Sequence, residues 1–426
     1  MSKKFINILL KLNNSNFKIM DELSSDTSEE RKYHKIDINI EENELKPTIN
    51  HSKKFSNEPL LLRSSVHLLS YNFFSRPPPV NTNGTDYKDA RLKDFLEYLH
   101  DFDIICFQEV FTTLNDRKHR MIREAAKAGL KYYVYGRPPS FFSKFVSDSG
   151  LLILSRYEII EKDSYDYYLN VSGDCVSMKG VLYAKIKIND RYLFLFNTHL
   201  QSTYFDESQS SINSTIQVRT GQTEELINFV YNKLLYIPKE QVLKGCVLIV
   251  GDFNIDAHNN KFIKERYSIP KYKISEYELF KKKLSKLGKP IDLMYKKYNS
   301  HLYTFGNNDK PEYDQVLTNK AELNLKQTLD YMWEIIPDYD LNIYKSGFYK
   351  LSTNNINKSI KNKEDNDEDK ISVIYGSFKV QEFLVKNKPY QQLSDHFGIS
   401  VELTLPSNNQ SLNDNSSYNT EVINIK

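Results

Sequence analysis

The chain is short of cysteine, of net charge and of long apolar runs, and each shortage closes off a class of protein. Three cysteines in 426 residues are too few for a disulfide framework. Two of them, Cys106 and Cys246, lie in or beside the apolar runs "DIICF" and "GCVLIV", where a buried free thiol is the ordinary state. A reducing compartment is therefore expected. The formal net charge is only +3, which does not by itself argue for a nucleic-acid partner. No stretch reaches the roughly 18 to 20 apolar residues of a membrane span. The opening "MSKKFINILLKLNN" puts basic residues ahead of a short apolar stretch. Its apolar part, "FINILL", is shorter than a secretory signal core, and no small-residue cleavage site follows. The expectation is a cytoplasmic protein, soluble or peripheral to a membrane surface.

What is present is ample apolar material. Hydrophobic residues make up 40% and aromatic residues 13% of the chain, enough for one large core or two modest ones. Residues 13–58 are rich in Asn, Ser, Lys and Glu, so a disordered arm over 1–58 is expected. The tract "STNNINKSIKNKEDNDEDK" at 352–370 reads as a surface insertion, and 406–426 as a disordered tail. Between them lies one globular block, 60–405, without an internal repeat.

Strand and helix patterns alternate through this block. "SSVHLLSYN", "DIICFQEV", "GLLILS", "GVLYAKIKI", "YLFLFNTHL", "VLIV" and "FGISVELTL" read as strands. "DARLKDFLEYLHDF" carries Leu92, Phe95, Leu96 and Leu99 at helical spacing, and "NDRKHRMIREAAKAG" has a cap in Asn115 or Asp116 and a stop in Gly129. A third helix is expected near 215–235. Strands that follow one another without a helix imply mixed sheets, and the helices imply layers on their faces. Two such sheets stacked between helices account for the length.

Polar residues recur where these strands end. Asn72 ends the first and Glu109 the second; "FNTHLQ" supplies His199, "GDFN" Asp252 and Asn254, and "LSDHFG" Asp395 and His396. Gly251 reads as a close backbone approach, and period-two alternation would point Asp252 and Asn254 the same way. Each residue alone has a plain reading as a turn or solvated strand end. Five such events at one kind of position point to a site assembled where strand ends converge. The chemistry that suits them is phosphodiester hydrolysis assisted by a hard cation. Mg²⁺, or Mn²⁺ in its place, needs few protein carboxylates, so Glu109 with Asn72 is a plausible holder. His396, oriented by a carboxylate, suits a general base. His199 suits an acid or a transition-state partner, and Asp252 and Asn254 suit orienting the water and a phosphoryl oxygen.

"YN", "QEVF", "NTHLQ", "GDFN" and "SDHF", in this order, resemble the successive signatures of the endonuclease/exonuclease/phosphatase superfamily. That superfamily includes deoxyribonucleases, abasic-site endonucleases, inositol-polyphosphate phosphatases and sphingomyelinases. The resemblance runs from about 65 to 405 and implies a four-layer α/β sandwich of two stacked mixed β-sheets flanked by helices. "GDCVSMKGVLYAKI" contains Asp174, Ser177, Lys179 and Gly180 as D-x-x-S-x-K-G, similar to a segment of neutral and bacterial sphingomyelinases. "HLQS" and "VRTGQTEEL" are similar to their flanking segments. This resemblance implies Mg²⁺-dependent hydrolysis of sphingomyelin, in membranes or micelles, to ceramide and phosphocholine. It implies Glu109 as metal ligand, His396 as base, His199 as acid or transition-state partner, and Asn254, Lys179 and Asp174 as substrate-binding residues. No nucleic-acid partner is implied, although an endonuclease, a phosphoinositide phosphatase and an inactive interaction module share the scaffold. "TLDYMWEI" resembles the family's "LDYIF" strand and makes Asp330 a weaker candidate, with a competing aspartate in "PEYDQVL". Trp333 is expected in the core, and His67, His258 and His301 are expected to be structural or at the surface. The Lys-rich, aromatic stretch 261–298 reads either as a solvated amphipathic helix or as a contact for an anionic lipid surface.

Overall fold

Strand alternation decides the layering. In β1 (Ser65–Ser75), Val66 and Leu68 face one way while Leu69, Tyr71 and Phe73 face the other, as a period of two requires. In β8 (Cys246–Asp252), Leu248 and Val250 face inward and Val247 and Ile249 outward. Strands apolar on both faces must be covered on both. The computed structural model describes residues 64–82, 85–139, 145–171, 177–203, 208–258, 274–306, 317, 325–337 and 370–405. The expected arm, most of the polar insertion (352–369) and the tail lie outside them.

From β1 the chain runs through α1 (Lys88–Phe95), β2 (Ile104–Val110), α2 (Arg117–Lys127), β3 (Tyr132–Tyr135), β4 (Leu152–Ser155), β5 (Glu158–Asp166), β6 (Gly180–Ile188) and β7 (Arg191–His199). It continues through α3 (Gln209–Leu235), α4 (Lys239–Lys244), β8, α5 (Glu276–Leu284), β9 (Lys289–Asp292) and α6 (Leu293–Tyr298). It closes with the short ladder of β10 (Phe305–Gly306) and β11 (Lys326–Gln327), then β12 (Asp330–Ile336), β13 (Val373–Gln381) and β14 (Gly398–Thr404). One six-stranded sheet has the order β13-β14-β1-β2-β4-β3, the other β5-β6-β7-β8-β12-β9. The pairs β1/β2 and β7/β8 are parallel and the rest antiparallel, so both sheets are mixed.

The two sheets stack on a shared apolar layer that includes Leu68, Ile104, Cys106, Leu195, Leu248, Val250 and Met332. Outside the first sheet, Leu92 and Phe95 of α1 and Met121 and Ala125 of α2 cover Tyr71, Phe73 and Phe107. Outside the second, Leu226, Val230 and Leu234 of α3 and Phe280 of α5 cover Phe196, Ile249 and Trp333. The result is the expected sequence of layers: helix, sheet, sheet, helix. Trp333 is fully buried, and Cys106 and Cys246 are buried free thiols. The first expected helix stops at Phe95 and tightens into a 3₁₀ turn over Leu96–Asp101. α3 starts earlier than expected, capped by the Ser208 side chain, which accepts from the Ser211 N–H. Among the described residues, no helix is long and apolar enough to cross a membrane.

Two local devices fix the strand ends. Arg91, fully buried, donates from Nε to the Asp86 carbonyl and from its two terminal nitrogens to the carbonyls of Phe73, Phe74 and Leu393, at 2.7 to 3.0 Å. It thereby ties the end of β1 to the loop before β14. Gly251, at φ +139°, lies against β7, where a Cβ would collide with the Thr198 carbonyl oxygen. This is the close approach that the glycine implied. Gly251→Ala is expected to destabilise the fold by about 2–4 kcal/mol through this collision and the strained φ. An unchanged urea midpoint and slope would overturn that account.

Candidate active site

The inward face of each central strand is apolar until the strand approaches one end of the sandwich, where the next inward positions turn polar. Val66 and Leu68 lead to Ser70 and Asn72, Leu193 and Leu195 to Asn197 and His199, and Leu248 and Val250 to Asp252; on β12, Met332 is followed towards that end by Asp330. His199 is paired in register with Asp252, and Asp252 with Asp330. Three polar side chains thus stand in a row, one per strand, on one face of the second sheet.

Asn72 meets this row from the first sheet. Its Nδ2 donates to Asp252 Oδ2 at 2.9 Å and to Glu109 Oε1 at 3.2 Å. The orientation of the amide is set by the Phe74 N–H, which donates to Asn72 Oδ1 at 3.1 Å and requires an acceptor there. Glu109 follows Ile105 and Phe107, which face outward, so simple alternation would turn it away from the site. Its backbone leaves the strand conformation instead, at φ +58°, a departure costing about 1–2 kcal/mol. That turn brings its carboxylate beside Asn72.

His396 closes the fourth side. Its Nδ1 is 2.8 Å from Asp330 Oδ2, and its Nε2 is 3.4 Å from Asn72 Nδ2 and 3.8 Å from Asp252 Oδ2. Phe305 stands edge-on to the ring at 5.0 Å. Ser394 donates to the Asn72 carbonyl at 2.6 Å and accepts from the His396 N–H at 3.2 Å, which locks the loop to β1. Burial works to lower the His396 pKa, but the charges of Asp330 and Asp252 overcome it and raise it to about 10. At Asp252 burial pushes upward, yet His199 and His396 hold the carboxyl well below its usual range. At Asp330 burial prevails and the pKa is raised, only partly offset by His396. Asp330 and His396 therefore hold their proton between them.

Lys179 and His199 form a second cationic arm. Lys179 Nζ is 2.8 Å from His199 Nε2, which is also 3.3 Å from Asp252 Oδ2 and 4.0 Å from Glu109 Oε1. A neutral ring accepts at Nε2 from Lys179; a protonated one donates there to Asp252. Asn254 does not continue the strand as alternation implied. β8 stops at Asp252, Asn254 adopts φ +53°, its N–H donates to Asp252 Oδ1 at 2.9 Å, and its Nδ2 donates to the Leu200 carbonyl at 3.0 Å.

These donors suit a hard divalent cation. Glu109, His199 and Asp252 offer one ligand atom each within 4.8 Å of one another, as do Asp252, Asp330 and His396. Of the two carboxylates held by Asn72, Glu109 is the more accessible, with its side chain 15% exposed against 1% for Asp252. One reachable carboxylate oxygen, with Asp252 beside it, matches the sparse protein ligation that Mg²⁺ accepts. Asn72 presents its nitrogen, not its oxygen, to the carboxylates, so it bears on a cation through the oxygens that it orients.

The model of the Endonuclease/Exonuclease/phosphatase family matches residues 70–267, the segment that supplies Asn72, Glu109, His199 and Asp252. Over that segment, a little under half of its length, the chain is similar to the family. A protein named as a sphingomyelinase from Dictyostelium discoideum is 28% identical over 363 residues, 76% of each chain. A Sphingomyelinase C of Bacillus cereus is 30% identical over 210 residues, 46% of this chain and 60% of that protein. The crystal structure of SmcL superposes with a TM-score of 0.51 at 18% identity, over 80% of this chain and 99% of that one. It shares the fold.

The fold brings together Asn72, Glu109, Lys179, His199, Asp252, Asn254, Asp330 and His396, all expected from the sequence. Two weights change. Asp330, the weaker candidate, is the carboxylate that grips His396, whereas Asp395 accepts from the Ser394 hydroxyl at 3.2 Å. Asp174 and the aspartate of "PEYDQVL" lie outside the described residues. Within 261–298, only 274–298 are described; there Lys283 and Lys286 pair with Glu224, and Lys297 donates to the Phe378 carbonyl. His258 stacks on Tyr303 at 4.5 Å, His301 pairs with Asp292 at 2.9 Å, and the half-exposed His67 lies beside Glu402.

Sequence reading missed the floor beneath the row. Gln108 Nε2 donates to Asn197 Oδ1 at 2.7 Å, and Asn197 Nδ2 donates to the Phe107 carbonyl at 2.9 Å, joining the sheets by polar contacts. Their signal was available: each is a polar residue in the inward register of an otherwise apolar strand. Because folding raises the His396 pKa, this histidine contributes stability that is complete below its ordinary value of 6.5 and is lost as pH rises to about 10. With chelator present, the stability difference between wild type and His396→Gln in urea should shrink steadily from pH 6 to pH 10. A difference that stays constant would overturn the assignment.

Proposed function

We propose that this chain is a divalent-cation-dependent phosphodiesterase that hydrolyses sphingomyelin to ceramide and phosphocholine. The observation that carries the reading is the Lys179 contact with His199, 2.8 Å from Nζ to Nε2, made by the D-x-x-S-x-K-G segment beside the carboxylate row. The relatives named as sphingomyelinases support the substrate, and the carboxylate and histidine pairs support the reaction class.

In this reading His396 Nε2 takes a proton from the attacking water while Nδ1 stays engaged with Asp330, which fixes the ring and supports its positive charge. The water oxygen forms its bond to phosphorus as the bond to the ceramide oxygen breaks. With Lys179 turned from Nε2 to the phosphoryl oxygens, His199 protonated at Nε2 gives its proton to that departing oxygen. Lys179 presents a positive charge to the phosphoryl oxygens, and Asn254 offers a further polar contact to the substrate. Glu109, with Asp252 behind it, would hold Mg²⁺ or Mn²⁺. When bound, such a cation neutralises phosphate charge and polarises phosphorus. A cytoplasmic location, peripheral to a membrane surface and in contact through 261–298, goes with this reading, as does the absence of a nucleic-acid partner.

Phosphocholine release from sphingomyelin in detergent micelles tests it, with plasmid DNA and phosphatidylcholine in parallel. Wild type should release phosphocholine with Mg²⁺ and stop with chelator. His396→Ala should lower kcat by about 10²–10⁴-fold. Nicked DNA with intact sphingomyelin would overturn the substrate, and turnover undiminished by chelator would overturn the cation. Lys179→Met should lower kcat by about 10²–10³-fold as a lost charge at the developing transition state. A change confined to KM would remove Lys179 from that role.

A further inference from the structure

α3 has an unusual buried face. Its second half buries Leu226, Ile227, Val230 and Leu234, as a helix on a sheet should, whereas the turns before them bury Thr215, Arg219, Gln222 and Thr223 alongside Ile212, Ile216 and Val218. Polar groups in such a place are costly unless every one is bonded. Arg219 makes a two-pronged pair with Glu276 at the start of α5, Nε to Oε1 at 2.7 Å and Nη2 to Oε2 at 2.9 Å. Its remaining nitrogen, Nη1, donates to the Gln201 carbonyl at 3.0 Å and to Thr203 Oγ1 at 2.5 Å. Gln222 accepts from the Gln201 N–H at 2.8 Å and donates from Nε2 to the Leu169 carbonyl at 2.7 Å.

The segments held in this way lead directly to the site. Gln201 lies two residues beyond His199, and its own side-chain oxygen accepts from the Val171 N–H at 3.0 Å. On the other side, the Tyr167 N–H donates to the Lys179 carbonyl at 2.8 Å, and the Tyr167 hydroxyl is 2.6 Å from Thr198 Oγ1. Glu225 takes the Tyr168 N–H at 2.9 Å, and a Cβ on Gly221 would collide with Leu169, whose side chain lies against the helix there. The chain just beyond His199 is thus strapped to this helix through Gln201, and Lys179 is reached from the same turns through the Tyr167–Leu169 segment.

We infer that Gln222 and Arg219 are positioning residues that fix the separation of Lys179 from His199, and thereby the geometry of the cationic arm. Neither touches a reacting atom in the mechanism proposed. Gln222 is central because, among the described side chains of α3, it bonds both segments, one through its oxygen and the other through its nitrogen. An amide is suited to this task, since it supplies an acceptor and a donor from one rigid plane. The arm must be held closely, because a displacement of about 1 Å at reacting groups can lower a rate by about 10²-fold.

The kinetic test rests on the phosphodiesterase reading; the spectroscopic one does not. Gln222→Met keeps the volume and removes both bonds, while Val230→Ala, deeper along the same helix, serves as a packing variant. On sphingomyelin micelles well below the unfolding midpoint, Gln222→Met should lower kcat about 10- to 100-fold with KM within about threefold. Val230→Ala should lower the midpoint and leave kcat within about twofold. Independently, the ¹⁵N-histidine NMR signal of His199, assigned through His199→Gln, should move in Gln222→Met and in Lys179→Met but not in Val230→Ala. A Gln222→Met protein with unchanged kcat and an unmoved His199 signal would overturn the inference, whatever its thermal stability. A His199 signal that moves in wild type's absence of sphingomyelin turnover would sustain the positioning role while the substrate reading fails.

Discussion

The hydrogen bond from Asn72 Nδ2 to Asp252 Oδ2, 2.9 Å long, links the two sheets at their polar end, and the catalytic arrangement depends on it. Each sheet is held to the other by an apolar layer, which fixes their spacing but is indifferent to small slides. Directional contacts remove that freedom. Asn72 reaches Asp252 across the gap, Gln108 reaches Asn197 beneath it, and Ser394 secures the loop of His396 to the Asn72 carbonyl. A one-residue slip of any contributing strand would send its polar residue into the helix-covered layer.

Concentrating charge here has consequences for both partners in each pair. Asp252 is buried beside His199, His396 and Asn72, so its negative charge is sustained by neighbours and not by water. The charges of Asp330 and Asp252 correspondingly favour the protonated form of His396. A base must be free of that proton to act. In the mechanism we propose, positive charge brought to Glu109 and Asp252 would weaken the hold of Asp252 on His396. The Asp330 oxygen Oδ1, buried without a hydrogen-bond partner among the described residues, adds to the negative potential that such a cation would meet.

The strands legible in the sequence lie inside the sheets, seven through their patterning and β12 through its resemblance to the family's strand. β1, β2, β4 and β14 in one sheet and β6, β7, β8 and β12 in the other are covered on both sides and write themselves as apolar runs. β3, β5, β9 and β13 escaped notice, and they are the four sheet edges. β5, for example, has no buried residue along its length, so neither burial nor alternation marks it. Charged and polar side chains are common at such edges because they discourage further pairing.

The sequence by itself determined the layered fold and most of the polar constellation, because buried strands demand apolar residues and a polar residue at the end of such a run stands out. Asn72, Glu109, His199, Asp252 and His396 were all visible in this way. Only the tertiary structure decided how they meet. The partner of His396 is Asp330, 66 residues away in the chain, and not its neighbour Asp395. The inward turn of Glu109 depends on a left-handed backbone that alternation cannot foresee, and the amide of Asn72 is oriented by the Phe74 N–H. The straps from Arg219 and Gln222 join segments distant in the chain. Periodicity records which face a residue occupies; the distance and direction between faces arise from how the sheets pack.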